Sequence, residues 1–513
     1  MLCHEGGSDS VTTAREELES LLVEMSDEEH KALKGLCIGN IPMSVNVFTT
    51  LIRALPKETK KRYEGHIKLL QKLNGLLNLD LNKHETPKED VQAEKPKDPP
   101  IPLTEDLTKE ITWDDTAEIL SISIKKDKTE KLITLCAMLL AQSNEDQLNI
   151  GYQSESAAGK SYIAIEVSTY FPKEEVEVIA SASPTAFYHD GKWDDVRKLL
   201  IRDLEHKNLI FLDQPHFQLL EKLRPLLSKD GKELYYKITD KNQKFGLRTK
   251  TVVIRGFPSV FFCSTKTDPD EQEKTRLLLL SPSTEEEKLR ESLSLIALKK
   301  SDYEVYRKEI QSHPRRILLS NRIKAIRQTE IREVVIPNDG RDVYDKFMKE
   351  HPYLVARHQR DFPRIFSFIK AHALLNCFHR EKVMNGHGDK PAAILAIQAD
   401  IDAGFELYKE IEKSNELGLS PYIFKIYNEV IKPLLKPDVG LNRKDLRAKH
   451  YKVFHRTISE KVETSILSQL ESAGLIEQLP DPADKRKNLI YPTVSGDISP
   501  EPNSGMLSGE MRQ

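Results

Sequence analysis

SESAAGKS, residues 154–161, follows the apolar run ending at Asn149-Ile150-Gly151 and precedes the helix-patterned SYIAIEVSTY of residues 161–170. Gly159, Lys160 and Ser161 fill the end of the phosphate-binding pattern G-x-x-x-x-G-K-[ST], and only its first glycine is replaced, by Ser154. Each part of that pattern has a task. A permissive loop brings backbone N–H groups onto phosphates, the lysine meets the β- and γ-phosphates, and the hydroxyl binds Mg²⁺. A strand over Gln147–Gln153 and a helix over Ser161–Tyr170 would aim a helix N-terminus at the same phosphates. Ser156, Ala157, Ala158, Gly159, Lys160 and Ser161 are therefore the expected nucleotide-binding residues, for ATP with Mg²⁺. A plain loop with an exposed lysine is the competing explanation.

A phosphate loop needs an acid on another strand to complete the metal sphere. Asn208-Leu209-Ile210-Phe211-Leu212-Asp213 is an apolar strand ending in a carboxylate, on a strand expected to neighbour that of the loop in one parallel sheet. Asp213 is the expected Mg²⁺ partner of Ser161. Many such ATPases carry glutamate next as general base, but here Gln214 follows, then Pro215 and His216. Glutamine orients a water and cannot take its proton. Pro258–Thr265 (PSVFFCST) is a further buried strand ending in hydroxyls, which in an ATPase sheet lies between the other two; Thr265 or Ser264 would touch the γ-phosphate. Eleven residues on, Arg276 in DPDEQEKTRLLLLSP could serve a neighbouring subunit as an arginine finger. Its alternative is a surface pair with Glu271 or Glu273.

Before the hydroxyl-tipped strand, residues 233–256 read as a β-hairpin around a polar turn at Asp240–Gly246. Lys237, Lys241, Lys244, Arg248, Lys250 and Arg255 face only Glu233 and Asp240, a charge balance suited to a phosphate backbone.

In this order, SESAAGKS, IFLDQ, the basic hairpin, FFCST and TRLLLLSP resemble the AAA+ ATPases of the MCM-like and phage/plasmid primase-associated helicase group. The resemblance covers roughly residues 110–415. It implies an α/β phosphate-loop fold with a helical lid, a hairpin lining a ring channel, and ATP sites between subunits of a homo-hexamer. HQRDFPRIFSFIKAHALLNCFHRE (358–381) and AAILAIQADIDAGFELYKEI (392–411) are similar to the lid and its following helix. There the family's sensor-2 arginine falls on Arg364 or, second, Arg360. Ser154 and Gln214 depart from the family pattern; the second bears on hydrolysis rather than on nucleotide binding.

The rest of the chain frames this core. At 513 residues it exceeds one ordinary core. With 39% hydrophobic and 31% charged residues and no apolar run approaching about 20, it reads as a soluble globular protein without a membrane helix. Cys3, Cys37, Cys136, Cys263 and Cys377 are scattered without C-x-x-C spacing, which points to a cytoplasmic protein lacking structural zinc or a disulfide framework. A helical N-terminal domain (1–83), a Pro- and charge-rich linker (84–103), the ATPase domain (104–284), the helical lid (285–418), a C-terminal module (419–493) and a disordered tail (494–513) are expected. The N-terminal domain could serve assembly or recruit a partner such as a primase.

Residues 419–493 pattern as a winged helix-turn-helix: a helix from Pro421, a second opened by Asn442, a third from about Thr457 to Ser472, then two strands around a basic turn. DPADKRKNLIYPT resembles the wing of MarR-type regulators. The module carries 13 Lys/Arg against 9 Asp/Glu in a chain of net charge −3. Lys485, Arg486 and Lys487 on the wing, with Arg456 and Lys461 on the recognition helix, are the expected DNA contacts. The leading expectation is a DNA-acting ATPase, a ring-forming helicase in DNA replication. The alternative is a nucleotide-gated DNA-binding regulator or loader with little or no hydrolysis, which Gln214 favours. A small-molecule kinase would leave the hairpin and the wing without a role.

Overall fold

The computed structural model describes residues 100–493 except 184–185, 189, 198, 214–216, 230, 241–247, 264–275, 356 and 385–390. The expected N-terminal domain, most of the linker and the tail lie outside the described residues, as do Gln214, Lys241, Lys244 and Thr265.

Nine strands run through the first half of the described chain: β1 Ile150–Tyr152, β2 Val176–Ile179, β3 Lys192–Asp194, β4 Leu199–Asp203, β5 Asn208–Phe211, β6 Glu233–Asp240, β7 Arg248–Arg255, β8 Ser259–Phe262 and β9 Leu278–Leu280. Five form a parallel sheet in the order β2-β5-β8-β1-β9. Short apolar runs produce it because both faces are covered. Leu209, Phe211, Val260, Phe262, Leu277 and Leu279 face one core, while Ile210, Phe261, Leu278 and Leu280 face another with Ile150 and Tyr152. This period of two on a doubly buried sheet is what a parallel α/β layer requires.

The core of Ile150, Tyr152, Ile210 and Phe261 is shared with the helices α1 (Trp113–Ser121), α2 (Lys128–Leu140) and α3 (Lys160–Ser168), and with the lid. The other core holds α4 (Phe217–Leu227) and a smaller sheet, β3-β4-β7-β6. The hairpin expected at 233–256 is β6-β7, in register from Glu233↔Arg255 to Asp240↔Arg248. It is not free-standing, because β7 also pairs in parallel with β4. Eight pairs at about 3.4 Å per residue make this ladder roughly 25 Å long.

After β9 come α5 (Glu286–Ser301), α6 (Pro314–Gln328), α7 (Arg341–Glu350), α8 (His358–Leu375), α9 (Gln398–Lys409) and α10 (Glu412–Glu416). The expectation of a purely helical lid needs correction. β10 (Glu333–Val335), β11 (Lys382–Met384) and β12 (Pro391–Leu395) form a small sheet ordered β10-β12-β11. The AAIL run, expected to start a helix, is strand β12, and the helix begins only at Gln398. These strands are three to five residues long and exist through remote pairing such as Val334↔Ile394, which a helical-period reading absorbs. Helices α8 and α9 pack where Gly404 meets Ile369; a Cβ on Gly404 would stand 2.4 Å from the Ile369 Cγ1. Beside that contact Asp400, fully buried, accepts from Arg380, His372 and the Ile397 N–H.

The C-terminal module has its own core, built from α11 (Pro421–Ile426, continuing in wider and tighter turns to Leu434), α12 (Arg443–Phe454), α13 (Glu460–Ser472) and the antiparallel hairpin β13 (Ile476–Pro480) with β14 (Asn488–Pro492). Asn442 caps α12 by accepting from Asp445 N, and Ser459 caps α13 by accepting from Val462 N, so the third helix starts later than its pattern suggested. Among the described residues, no helix is long and apolar enough to cross a membrane.

Candidate nucleotide-binding site

β1 delivers SESAAGKS at its C-terminal end, at a topological switch: the chain leaves β1 for the β2 edge and later steps across β1 from β8 to β9. Ligands of open α/β sheets sit at the carboxyl ends of strands at such points. The loop turns through two left-handed residues, Ala157 (φ 64°) and Gly159 (φ 94°). Gly159 is required by that backbone and not by crowding, since the nearest atom to an added Cβ is the Lys288 Nζ at 3.9 Å. Ser154 has no positive φ, which explains why glycine is dispensable at the first position.

Gly159 also stands at the N-cap of α3, so the first-turn N–H groups of that helix border the loop. The Lys160 side chain lies back over the loop, its Nζ donating to Ser154 O at 2.8 Å and to Glu155 O at 2.5 Å. Burial holds its pKa below the ordinary lysine value. Ser161 hydrogen-bonds the Cys263 thiol at the end of β8, and burial pushes that thiol up to about 11. Cys263 N donates to Phe211 O at the end of β5, and exposed Asp213 follows two residues later. The loop, Ser161, the tip of β8 and Asp213 thus share one edge of the sheet. The hydroxyl-tipped strand lies between β1 and β5, so β5 is not a direct neighbour of β1.

Lys288 braces the loop from behind. Its Nζ donates to Ala158 O (3.0 Å) and Ser283 O (2.8 Å) and pairs with Asp127, which opens α2 in a left-handed conformation. Burial raises the Asp127 carboxyl above the ordinary range. Glu155, inside the loop, accepts from the Tyr422 hydroxyl at 2.6 Å and pairs with the Arg456 guanidinium.

The remaining expected residues divide by location. Arg276 precedes β9, at the pole of the sheet opposite the loop, where its Nε donates to Ser228 Oγ at 2.5 Å. It cannot serve its own loop. Arg364 is buried, bound to Asp361 at 2.6 Å and to Leu277 O at 2.9 Å, again at the far pole. Desolvation lowers its pKa. It is an internal brace between α8 and β9, whereas Arg360, one turn earlier, is exposed. Lys237 is exposed on β6, and Arg248 begins β7.

Arg456 requires a correction. It lies in the turn between α12 and α13, not on the third helix, and its guanidinium meets Glu155 and Thr284 Oγ1 (3.1 Å). Ser459 caps the helix three residues beyond it, which leaves Arg456 off the helix and turned to the loop. Lys461 is on α13 and exposed, and Lys485, Arg486 and Lys487 are exposed on the β13–β14 turn, the last two beside Asp484. Sequence reasoning missed Glu155, Lys288, Asp127 and Tyr422 as parts of the site. The one available signal was an acid inside a phosphate loop; the other three are joined to it only by long-range folding.

His351, His358 and Glu416 place three potential metal-binding atoms within 4.8 Å. Their hydrogen bonds account for them without a cation. Val355 N–H donates to His358 Nδ1, which puts the proton on Nε2, facing Glu416 at 2.9 Å. Both nitrogens of His351 face oxygens, Phe347 O and Glu412 Oε1. The group ties α7, α8 and α10 together.

No protein-family model matches the sequence, and no curated protein does.

Proposed function

We propose that this chain is a cytoplasmic AAA+ ATPase that assembles into a homo-hexameric ring and acts on DNA, as a helicase in replication. One observation carries the proposal: β8 lies between β1, bearing the phosphate loop, and β5, bearing Asp213. That order gathers the loop, the Ser161 hydroxyl, the Asp213 carboxylate and the end of β8 on one edge, which supports a phosphate and Mg²⁺ site there. On ATP binding, Lys160 would exchange its loop carbonyls for the β- and γ-phosphates, and Ser161 with Asp213 would hold Mg²⁺. The far-pole position of Arg276 supports a site completed by a neighbouring subunit, since the arginine has no route to its own loop. The long β6–β7 hairpin suits a channel contact with single-stranded DNA. The C-terminal helices and hairpin fit a winged helix-turn-helix, with Lys461, Lys485, Arg486 and Lys487 toward a duplex.

A second possibility, a nucleotide-gated DNA-binding regulator or loader, is favoured by Gln214, which leaves the position after Asp213 without a base. Equilibrium binding of Mg²⁺-ATP to the full chain tests the shared premise. Binding is expected in the native protein, lost in Lys160→Ala and stripped of its Mg²⁺ dependence in Asp213→Asn. Unchanged ATP affinity in Lys160→Ala would remove the phosphate-loop assignment.

A further inference from the structure

Glu155 is an acid in a loop whose proposed ligand is a polyanion, and both of its carboxylate oxygens are held by the C-terminal module. Tyr422, at the start of α11, donates its hydroxyl to Oε1 at 2.6 Å, and Arg456, between α12 and α13, pairs with Oε2. The contact continues around the loop. Tyr422 N donates to Ser281 Oγ (3.0 Å), whose hydroxyl donates to Gln153 O (2.6 Å). Arg456 reaches Thr284 Oγ1, and Lys425 pairs with Glu285 at 2.7 Å. The module therefore grips residues on both sides of Ser154, more than 260 positions away in sequence, and the segment after β9. Tyr422 is buried, and burial pushes its hydroxyl up to about 12, so it remains a donor at neutral pH.

Two consequences follow from charge. An unpaired carboxylate at position 155 would oppose incoming phosphates. The Glu155 carbonyl is also one of the two resting partners of Lys160, so the seating of this residue sets where the loop lysine waits. We propose that Arg456 and Tyr422 are positioning residues for the phosphate loop: they neutralise and anchor Glu155, and thereby tie nucleoside-triphosphate affinity to the seating of the C-terminal module. Coupling between two sites is reciprocal. A duplex that draws Arg456 off Glu155 lowers ATP affinity, and bound ATP opposes that release by the same factor.

This inference rests on the nucleotide-binding proposal, and one titration series separates the two. The probe is a ribose-labelled fluorescent ATP with Mg²⁺, titrated with the full chain and its variants, with and without duplex DNA. Arg456→Ala is expected to weaken binding at least about fivefold, the scale of one unit charge left uncompensated a few ångströms away in water. Tyr422→Phe shifts it less in the same direction, and Arg456→Lys retains most of the affinity. Glu155→Gln binds at least as well as the native chain, and adding Arg456→Ala to it changes nothing further. Duplex DNA weakens ATP binding in the native chain and not in Glu155→Gln. A purely structural role would give equal losses in both backgrounds, which overturns the inference, as does an Arg456→Ala affinity equal to native. Those results leave nucleotide binding standing if Lys160→Ala still abolishes it. A native chain that does not bind the probe overturns both.

Discussion

Replacing Lys288 by methionine keeps the length and apolar stem of the side chain and removes only its charge. In the native structure its Nζ reaches Asp127, Ala158 O and Ser283 O, with the Lys288 side chain 8% and the Asp127 side chain 1% exposed. After the change Asp127 keeps one neutral donor, the Ser283 N–H at 2.8 Å. Breaking a buried ion pair from one side costs about 3–5 kcal/mol. Asp127 can take up a proton and limit that loss, so about 3 kcal/mol is expected near neutral pH. The pH dependence has a definite sign. Burial already raises the folded pKa of Asp127, and losing Lys288 raises it further. Such a group favours folding at low pH and loses that contribution as pH rises through the folded value, so the deficit shrinks on acidification. Asp127→Asn in the same chain removes the stranded charge and should recover about 1–2 kcal/mol. Urea unfolding followed through buried Trp113 measures Lys288→Met, Asp127→Asn and the double variant. A loss in Lys288→Met below about 1 kcal/mol, or strict additivity in the double variant, would refute the brace.

Asp400→Ala should cost about 3 kcal/mol, because it strands His372 and leaves buried Arg380 with the Glu110 carboxylate at 2.8 Å as its remaining ion pair. Burial opposes the Asp400 charge, but hydrogen bonds from His372, Arg380 and Ile397 N–H hold its carboxyl below the ordinary value. Its contribution is present above the usual carboxylate range and fades as pH falls through that lowered value, and a native acid-unfolding curve no steeper than that of Asp400→Asn would contradict this. Lys241→Ala with Lys244→Ala should leave basal ATP turnover intact and abolish its stimulation by single-stranded DNA; undiminished stimulation returns the hairpin to an ordinary charged surface. Arg276→Ala and Lys160→Ala proteins, each inactive alone, should regain turnover when mixed, because mixed rings contain intact interfaces. No recovery on mixing would count against a site shared between subunits.

The parallel sheet was legible because its strands are apolar runs with punctuation at their ends. Ile150–Tyr152, Asn208–Phe211 and Ser259–Phe262 are each followed within two residues by a polar one, Gln153, Asp213 and Ser264. The lid sheet was not legible, because three-residue strands such as Glu333–Val335 carry too little pattern to compete with the helices around them. That Lys160, Ser161 and Asp213 stand beyond the carboxyl ends of strands was legible, because each follows closely on an apolar run. Arg364 and Arg456 illustrate the converse. The resemblance placed Arg364 near the start of a lid helix and the helical pattern placed Arg456 on the recognition helix, but the chain gives no local sign that Asp361 or Glu155 would claim them. Lys288 and Tyr422 look like surface residues in sequence and become buried only through contacts made by the assembled fold.

Steady-state ATP turnover of the full chain, with and without single- and double-stranded DNA and beside Gln214→Glu, tests the central claim most directly. Turnover stimulated by single-stranded DNA is predicted for the native protein, which would make Gln214 a tolerated variation in a motor. No native turnover, with hydrolysis gained only in Gln214→Glu, would contradict the motor and leave a nucleotide-gated DNA binder.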